Sequence, residues 1–213
     1  LPHAINPNLF YPRSEQEKLQ IRKSTLKESD VDKVIFFWNN RNARRKQSGS
    51  LIFWFKEFLD IVGHENAGLM MHTEPKDPNG QDLTQIISHL ELDSGQVLLS
   101  TQKMNPEDLN SLINMMDCTI NISDAEGFGL ATLESLSTET PIIVNMTGGL
   151  QEQVTDGKNW FGVGIEPASK AIIGSQEVPY IFEDRLSKQD FIDALLKIYN
   201  MTDKERAKLG KMG

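Results

Sequence analysis

Hydrophobic and polar positions fall into two alternating kinds of segment. Short, almost unbroken apolar runs recur at VIFFW (34–38), GLMMH (68–72), QVLLS (96–100), CTINIS (118–123) and PIIVN (141–145). None alternates strictly with polar residues, as expected for parallel strands covered on both faces. Between the runs, SLIFWFKEFLDIV, LTQIISHL and PEDLNSLINMM carry apolar residues at helical spacing. The last has Asn105 as its N-cap and Pro106 at its first helical position. GLATLESLS and a short LQEQV complete the helical set. Strand followed by helix, repeated, predicts an α/β domain with a doubly wound, mostly parallel sheet and right-handed crossovers. Ligands of such domains bind beyond the carboxyl ends of the strands.

The ends of the chain read differently. Residues 1–30 are expected to form an interdomain hinge and a leading polar helix, with the ligand-binding domain covering 31–213. The stretch GIEPASKAIIGSQEVPY (164–180) shows neither period and is expected to wander over the surface. The tail reads as two short amphipathic helices separated near Asn200, the second capped by Thr202.

Composition narrows the possibilities. Of 213 residues, 38% are hydrophobic and 24% charged, enough for a packed core and against global disorder. The formal net charge of -8 disfavours nucleic acid or an anionic membrane as a partner. A single cysteine, Cys118, permits no internal disulfide and fits a reducing compartment; it reads as a small buried hydrophobe. No run approaches the roughly 18 apolar residues of a membrane span, and no leader is recognised at the start. A cytoplasmic location follows, peripheral to a membrane as an option for the full-length protein. Matches to the glycosylation triplet at Asn121, Asn145 and Asn200 are read as chance, and the scattered histidines as no metal site. Asp30-Val31-Asp32 precedes the first strand, at the wrong end of the sheet for a ligand, and reads as solvated charge.

Three segments after strands carry candidate chemistry. NNRNARRKQSG (39–49) places Arg41, Arg44, Arg45 and Lys46 before a helix. Guanidinium forks suit phosphate oxygens and a lysine adds a point charge, although a solvated basic loop reads equally well. DAEGFGLATLE (124–134) follows the CTINIS run. Gly127 and Gly129 permit close backbone approach, the amides from Phe128 and Leu130 to Ala131 offer an anion or hydroxyl site, and Glu126 and Glu134 suit sugar hydroxyls. The plain alternatives are a dipole-favoured carboxylate for Glu126 and a surface residue for Glu134. TGGLQEQV (147–154) puts Gly148 and Gly149 before a helix with Glu152 in its first turn, which alone is an ordinary turn. Neither a dinucleotide fingerprint nor a P-loop is present.

Together these residues resemble the carboxyl-terminal, donor-binding domain of retaining glycosyltransferases of the GT-B fold, the glycosyl transferases group 1 family. Its pattern E-G-F-G-x-x-x-x-E is matched by Glu126-Gly127-Phe128-Gly129 through Glu134. The following P-x-x-x is matched by Pro141-Ile142-Ile143-Val144, and G-G-x-x-E by Gly148-Gly149 through Glu152. An arginine after the first strand with a lysine five positions on is matched by Arg41 and Lys46. An N-x-x-x-F-x-P hinge is matched by Asn6-Pro7-Asn8-Leu9-Phe10-Tyr11-Pro12. The resemblance covers residues 6 to 160.

The resemblance implies a Rossmann-like domain holding a nucleoside diphosphate sugar as substrate, with no separate cofactor and no metal. Arg41 and Lys46 would grip the diphosphate, with Glu126 on the transferred sugar and Glu134 on the ribose. The turn from Gly127 to Leu130 would hold sugar or phosphate, and the loop Thr101-Gln102-Lys103 the base. A hexose would pass to a sugar, lipid or protein acceptor hydroxyl with retained configuration. That acceptor would be bound by an amino-terminal domain absent from this chain, which would therefore bind nucleotide weakly and transfer nothing alone. Ile122-Ser123 and Thr140 depart from the usual pattern, and residues 164–182 have no counterpart. Two other readings are a sugar-nucleotide epimerase of the same fold and a non-catalytic nucleotide-binding or interaction module.

Overall fold

A computed structural model describes residues 3–213. Six strands form one parallel sheet, β1 Val34–Asn39, β2 Ala67–His72, β3 Val97–Ser100, β4 Cys118–Asn121, β5 Ile142–Asn145 and β6 Gly162–Ile165. Their order is β3-β2-β1-β4-β5-β6, all neighbours parallel. The order reverses at β1, so the crevice of this doubly wound sheet opens between the carboxyl ends of β1 and β4. Helices α1 Glu15–Thr25, α2 Ser48–Val62, α3 Leu83–His89, α4 Pro106–Asn114, α5 Leu130–Ser137, α6 Leu150–Val154, α7 Lys188–Tyr199 and α8 Asp203–Lys211 cover it.

The unbroken apolar runs are explained by two-sided burial. Along β1, Phe36 and Trp38 face one core with Phe55 and Phe58 of α2 and Phe191 of α7. Ile35 and Phe37 face the other, with Leu112 and Ile113 of α4 and Phe10 of the leading segment. Successive strand residues point to opposite faces, so both sets must be apolar. Edge-on aromatic contacts, Phe36 to Phe58 at 5.7 Å and Phe58 to Tyr199 at 5.7 Å, tie α2 to β1 and α7. Each such side chain contributes roughly 1.5–3 kcal/mol by leaving water. Helix starts follow the expected caps: Asn105 accepts from the Asp108 amide, and Thr202 forms a reciprocal capping box with Glu205.

Three expectations are corrected. A sixth strand, β6, joins β5 although GVGI lacks an apolar run; a side chain at Gly162 would overlap the Ile142 carbonyl, so the strands close only over glycine. The stretch from residue 164 is not irregular. After β6 it forms an antiparallel hairpin, β7 Ser169–Ile173 with β8 Ile181–Arg185. Asp30 is not solvated but buried, 2.9 Å from the Lys33 ammonium, while Asp32 is exposed; both lie at the amino-terminal end of the sheet. Cys118 is buried, as are Asn121 and Asn145.

Candidate functional site

The cationic segment after β1 is held in shape by Asn42, a fully buried amide. Its nitrogen donates to the carbonyls of Pro75 (3.3 Å) and Gln81 (2.7 Å), and its oxygen accepts from Ser48 Oγ at 2.8 Å. Beyond it Arg44–Lys46 form one 3-10 turn, closed by Gln47 in a left-handed conformation, φ 57°. A non-glycine residue there costs of order 1 kcal/mol, tolerated only where surrounding contacts hold it.

That turn delivers Lys46 into the cleft. Its side chain is 8% exposed and pairs through Nζ with the Glu126 carboxylate, itself 11% exposed. Burial pulls the Lys46 pKa down, and the Glu126 carboxylate offsets part of that fall. Arg45 flanks the pair, donating to the Ala125 carbonyl at 2.6 Å, with its guanidinium 3.8 Å from Glu126. Asn121 Nδ2 lies 3.5 Å from the same carboxylate.

The glycines separate into two kinds. At Gly148 (φ 51°) a Cβ would strike the Glu126 carbonyl, and Gly149 donates its amide to the Gly127 carbonyl at 3.2 Å. The Gly148-Gly149 turn is thus a backing plate for the Glu126–Gly129 turn. Gly129 (φ 89°) caps α5, and a Cβ there would press on Leu150. Of these four, Gly127 faces open space: among the described residues nothing lies within 4 Å of a built Cβ. Gln153 fastens the turn from behind, donating to the carbonyls of Phe128 (2.6 Å) and Gly129 (3.2 Å). The Phe128 ring meets the His3 ring, centroids 4.9 Å apart. Leu130 is exposed and opens α5, whose first-turn amides have no intrahelical acceptors.

Glu134, one turn into α5, is half-buried. It is not a plain surface residue and makes no ion pair among the described residues; burial alone raises its pKa to about 7.

Lys46, Glu126 and the Gly127–Gly129 turn therefore share one crevice beyond β1 and β4. Arg41 follows β1 too, but its fork rests on Asp77, Nε 2.6 Å and Nη2 3.2 Å from the two carboxylate oxygens, and 64% of the side chain is exposed. Each raises the charged state of the other: Asp77 is held well below the usual carboxylate range and Arg41 above its own. Thr101, Gln102 and Lys103 are exposed in the loop after β3, at the sheet edge. At about 4.8 Å per strand, that loop is about 14 Å across the sheet from β4. The larger hollows, about 490 and 540 Å³, lie at the opposite, amino-terminal end, lined by Asp32, Lys33, Val34, Asp203 and Arg206. Among the described residues no three histidine, cysteine, aspartate or glutamate side chains are grouped as metal ligands.

Sequence reasoning missed Asn42, Asp77 and Gln153. Glu152, which it singled out, is exposed, while the neighbouring Gln153 does the fastening.

The family described as glycosyl transferases group 1 matches residues 58–213. That span includes both glycine turns and both glutamates but not Arg41 or Lys46. The D-inositol 3-phosphate glycosyltransferase of Corynebacterium urealyticum is 41% identical over 54 residues, 25% of this chain and 13% of that protein. Sucrose-phosphate synthase from Thermosynechococcus elongatus superposes with a TM-score of 0.72 at 20% identity, over 99% of this chain and 45% of that one. Anabaena HepE in complex with UDP-glucose gives 0.71 at 16%, over 97% and 49%. The chain spans about half the length of these solved structures.

Proposed function

The chain belongs to the glycosyl transferases group 1 family, and we propose that it is the donor-binding half of a retaining, metal-independent enzyme that transfers a hexose from a nucleoside diphosphate sugar. The observation that carries this reading is a buried lysine paired with the glutamate of a glycine turn, at the ligand end of a doubly wound sheet. A pyrophosphate laid against Lys46 exchanges part of that pairing for phosphate oxygens. Arg41, exposed on its loop, swings from Asp77 to complete the grip. A carboxylate offers about four acceptor sites, so Glu126 can keep Lys46 and still accept from sugar hydroxyls. Gly127, with none of the described residues within 4 Å of a built Cβ, leaves the backbone open to the sugar.

In the transfer, the acceptor hydroxyl oxygen bonds to the anomeric carbon as that carbon's bond to the phosphate oxygen breaks. The hydroxyl proton passes to the departing phosphate on the same face. Charge grows on the diphosphate, and Lys46 and Arg41 oppose it in the role a divalent cation would otherwise take. Losing one such stabiliser costs roughly 3 kcal/mol in the transition state. Glu134 takes the ribose hydroxyls, which replace the water its carboxylate lacks. The base lies toward Thr101–Lys103. The acceptor sits on a further domain, so this chain alone binds nucleotide and does not turn over.

Calorimetry with UDP, GDP and ADP in EDTA tests the reading. Binding of one of them, weakened at least tenfold by Lys46→Ala and by Arg41→Ala, is expected. Binding that requires Mg2+ would remove the metal-independent mechanism. No binding of any of the three would favour an interaction module, and conversion of a nucleotide sugar to its epimer would favour an epimerase.

A further inference from the structure

The β7–β8 hairpin has no place in the donor-site reading, yet Glu183 of its β8 strand is buried in that site's foundations. Arg44, in the same turn as Lys46, forks onto both oxygens of Glu183 at 3.1 and 2.6 Å. Glu183 is 3% exposed and also accepts from Arg185 at 2.8 Å. Arg185 reaches on to the buried Asp124 carboxylate at 2.9 Å, which the Gln47 side chain also contacts. Backbone bonds close the same circuit: Asp124 N to the Arg45 carbonyl (2.8 Å) and Asp184 N to the Asp124 carbonyl (2.7 Å). Asn145 and Thr147, at the end of β5, hold Asp184 through its carbonyl (3.0 Å) and carboxylate (2.7 Å).

We propose that this hairpin clamps the phosphate-gripping turn, and that Glu183 is a positioning residue that aims Lys46 at the diphosphate. The inference rests on the donor-site reading. Residues 43–47 form a short turn whose internal backbone ties, among the described residues, are Lys46 N to the Ala43 carbonyl (2.8 Å) and Gln47 N to the Arg44 carbonyl (3.2 Å), with Arg44 N reaching out to the Asn79 carbonyl (3.1 Å). Such a turn at a left-handed Gln47 does not hold itself. Glu183 supplies an external anchor two residues before Lys46. A buried carboxylate shared by two arginines fixes direction better than an exposed pair, because both forks meet its oxygens in defined geometry. The segment thus supplies, from outside the motif, rigidity that the motif lacks.

The test combines calorimetry with amide exchange on the intact chain, using UDP, GDP and ADP as probes. Glu183→Gln is expected to weaken binding of the preferred nucleotide five- to twentyfold. It should also speed exchange of the amides at 44–47 at least tenfold while β4 and β5 amides keep their protection. Arg44→Gln, at a largely exposed side chain, should do the same and guards against a misfolded Glu183 variant. Over a Lys46→Gln background the Glu183→Gln penalty should shrink below twofold, because the aimed group is gone; a merely structural role would leave it intact. Unchanged affinity, or an equal penalty in both backgrounds, would overturn the proposal. A wild-type chain that binds none of the three would overturn the donor-site reading and this inference together, whereas nucleotide binding insensitive to Glu183 would overturn the inference alone.

Discussion

Replacing Glu134 by Gln should have opposite effects on stability and on nucleotide binding. The carboxyl group is half-buried without an ion-pair partner among the described residues, and burial moves its pKa from 4.5 to about 7. Because the folded value is the higher one, the folded chain retains a proton that the unfolded chain has lost between those two values. Stability therefore falls as pH rises through that window, and the loss is complete above it. At about 1.4 kcal/mol per pH unit the shift corresponds to about 3 kcal/mol for a fully dry site. Glu134 keeps contact with water, and screening reduces this to about 1.5 kcal/mol. Glutamine carries no such penalty. Urea unfolding should find Glu134→Gln about 1.5 kcal/mol more stable than wild type at pH 8 and within about 0.5 kcal/mol of it at pH 4.5. Binding reverses the order: ribose hydroxyls donate to an ionised carboxylate, so wild-type affinity should rise with pH through 7 and the Gln variant should bind at least fivefold more weakly at pH 8. A variant that is less stable at pH 8, or equally displaced at both pH values, would refute the reasoning.

Lys46→Ala leaves the largely buried Glu126 carboxylate without its lysine, and breaking such a pair should cost about 3 kcal/mol in denaturant unfolding at pH 7. Gly148→Ala and Gly127→Ala should part company: the first meets the Glu126 carbonyl at a positive φ and should lose much of the fold by circular dichroism, whereas the second should stay within about 0.5 kcal/mol of wild type yet bind the preferred nucleotide's sugar derivative poorly. Asp77→Asn keeps the loop's acceptor but releases the Arg41 fork; the denaturation midpoint should barely move, and calorimetry should show nucleotide binding two- to fivefold tighter. Weaker binding would mean that Asp77 aims Arg41 rather than competing for it.

Five of six parallel strands were legible because two-sided burial writes itself as unbroken apolar runs. The sixth was not, because its positions 162 and 164 need glycine for close approach, which erases the signal. The hairpin was hidden for a related reason: Ile172, Ile181 and Phe182 remain exposed, so burial imposes no pattern on them. In the site, the family resemblance implied that Lys46 and Glu126 serve one ligand; their direct pairing was not foreseen, and it arises because a sheet reversing at β1 sets the ends of β1 and β4 side by side. What lies behind them was not legible. Asn42, Gln153 and Glu183 act through distant backbone and side-chain partners, and Glu183 lies 139 residues from the Arg44 it anchors. Asp77 likewise sits in a loop whose approach to Arg41 no local spacing announces.

One crevice, between the ends of β1 and β4, is expected to hold the diphosphate. Amide chemical-shift mapping during titration with UDP, GDP or ADP tests it most directly. The largest changes should fall at residues 41–46, 126–131 and 147–149, with Glu134 among them and EDTA making no difference. Changes clustered instead around Lys33, Asp117 and Arg206, at the amino-terminal end of the strands, would contradict it.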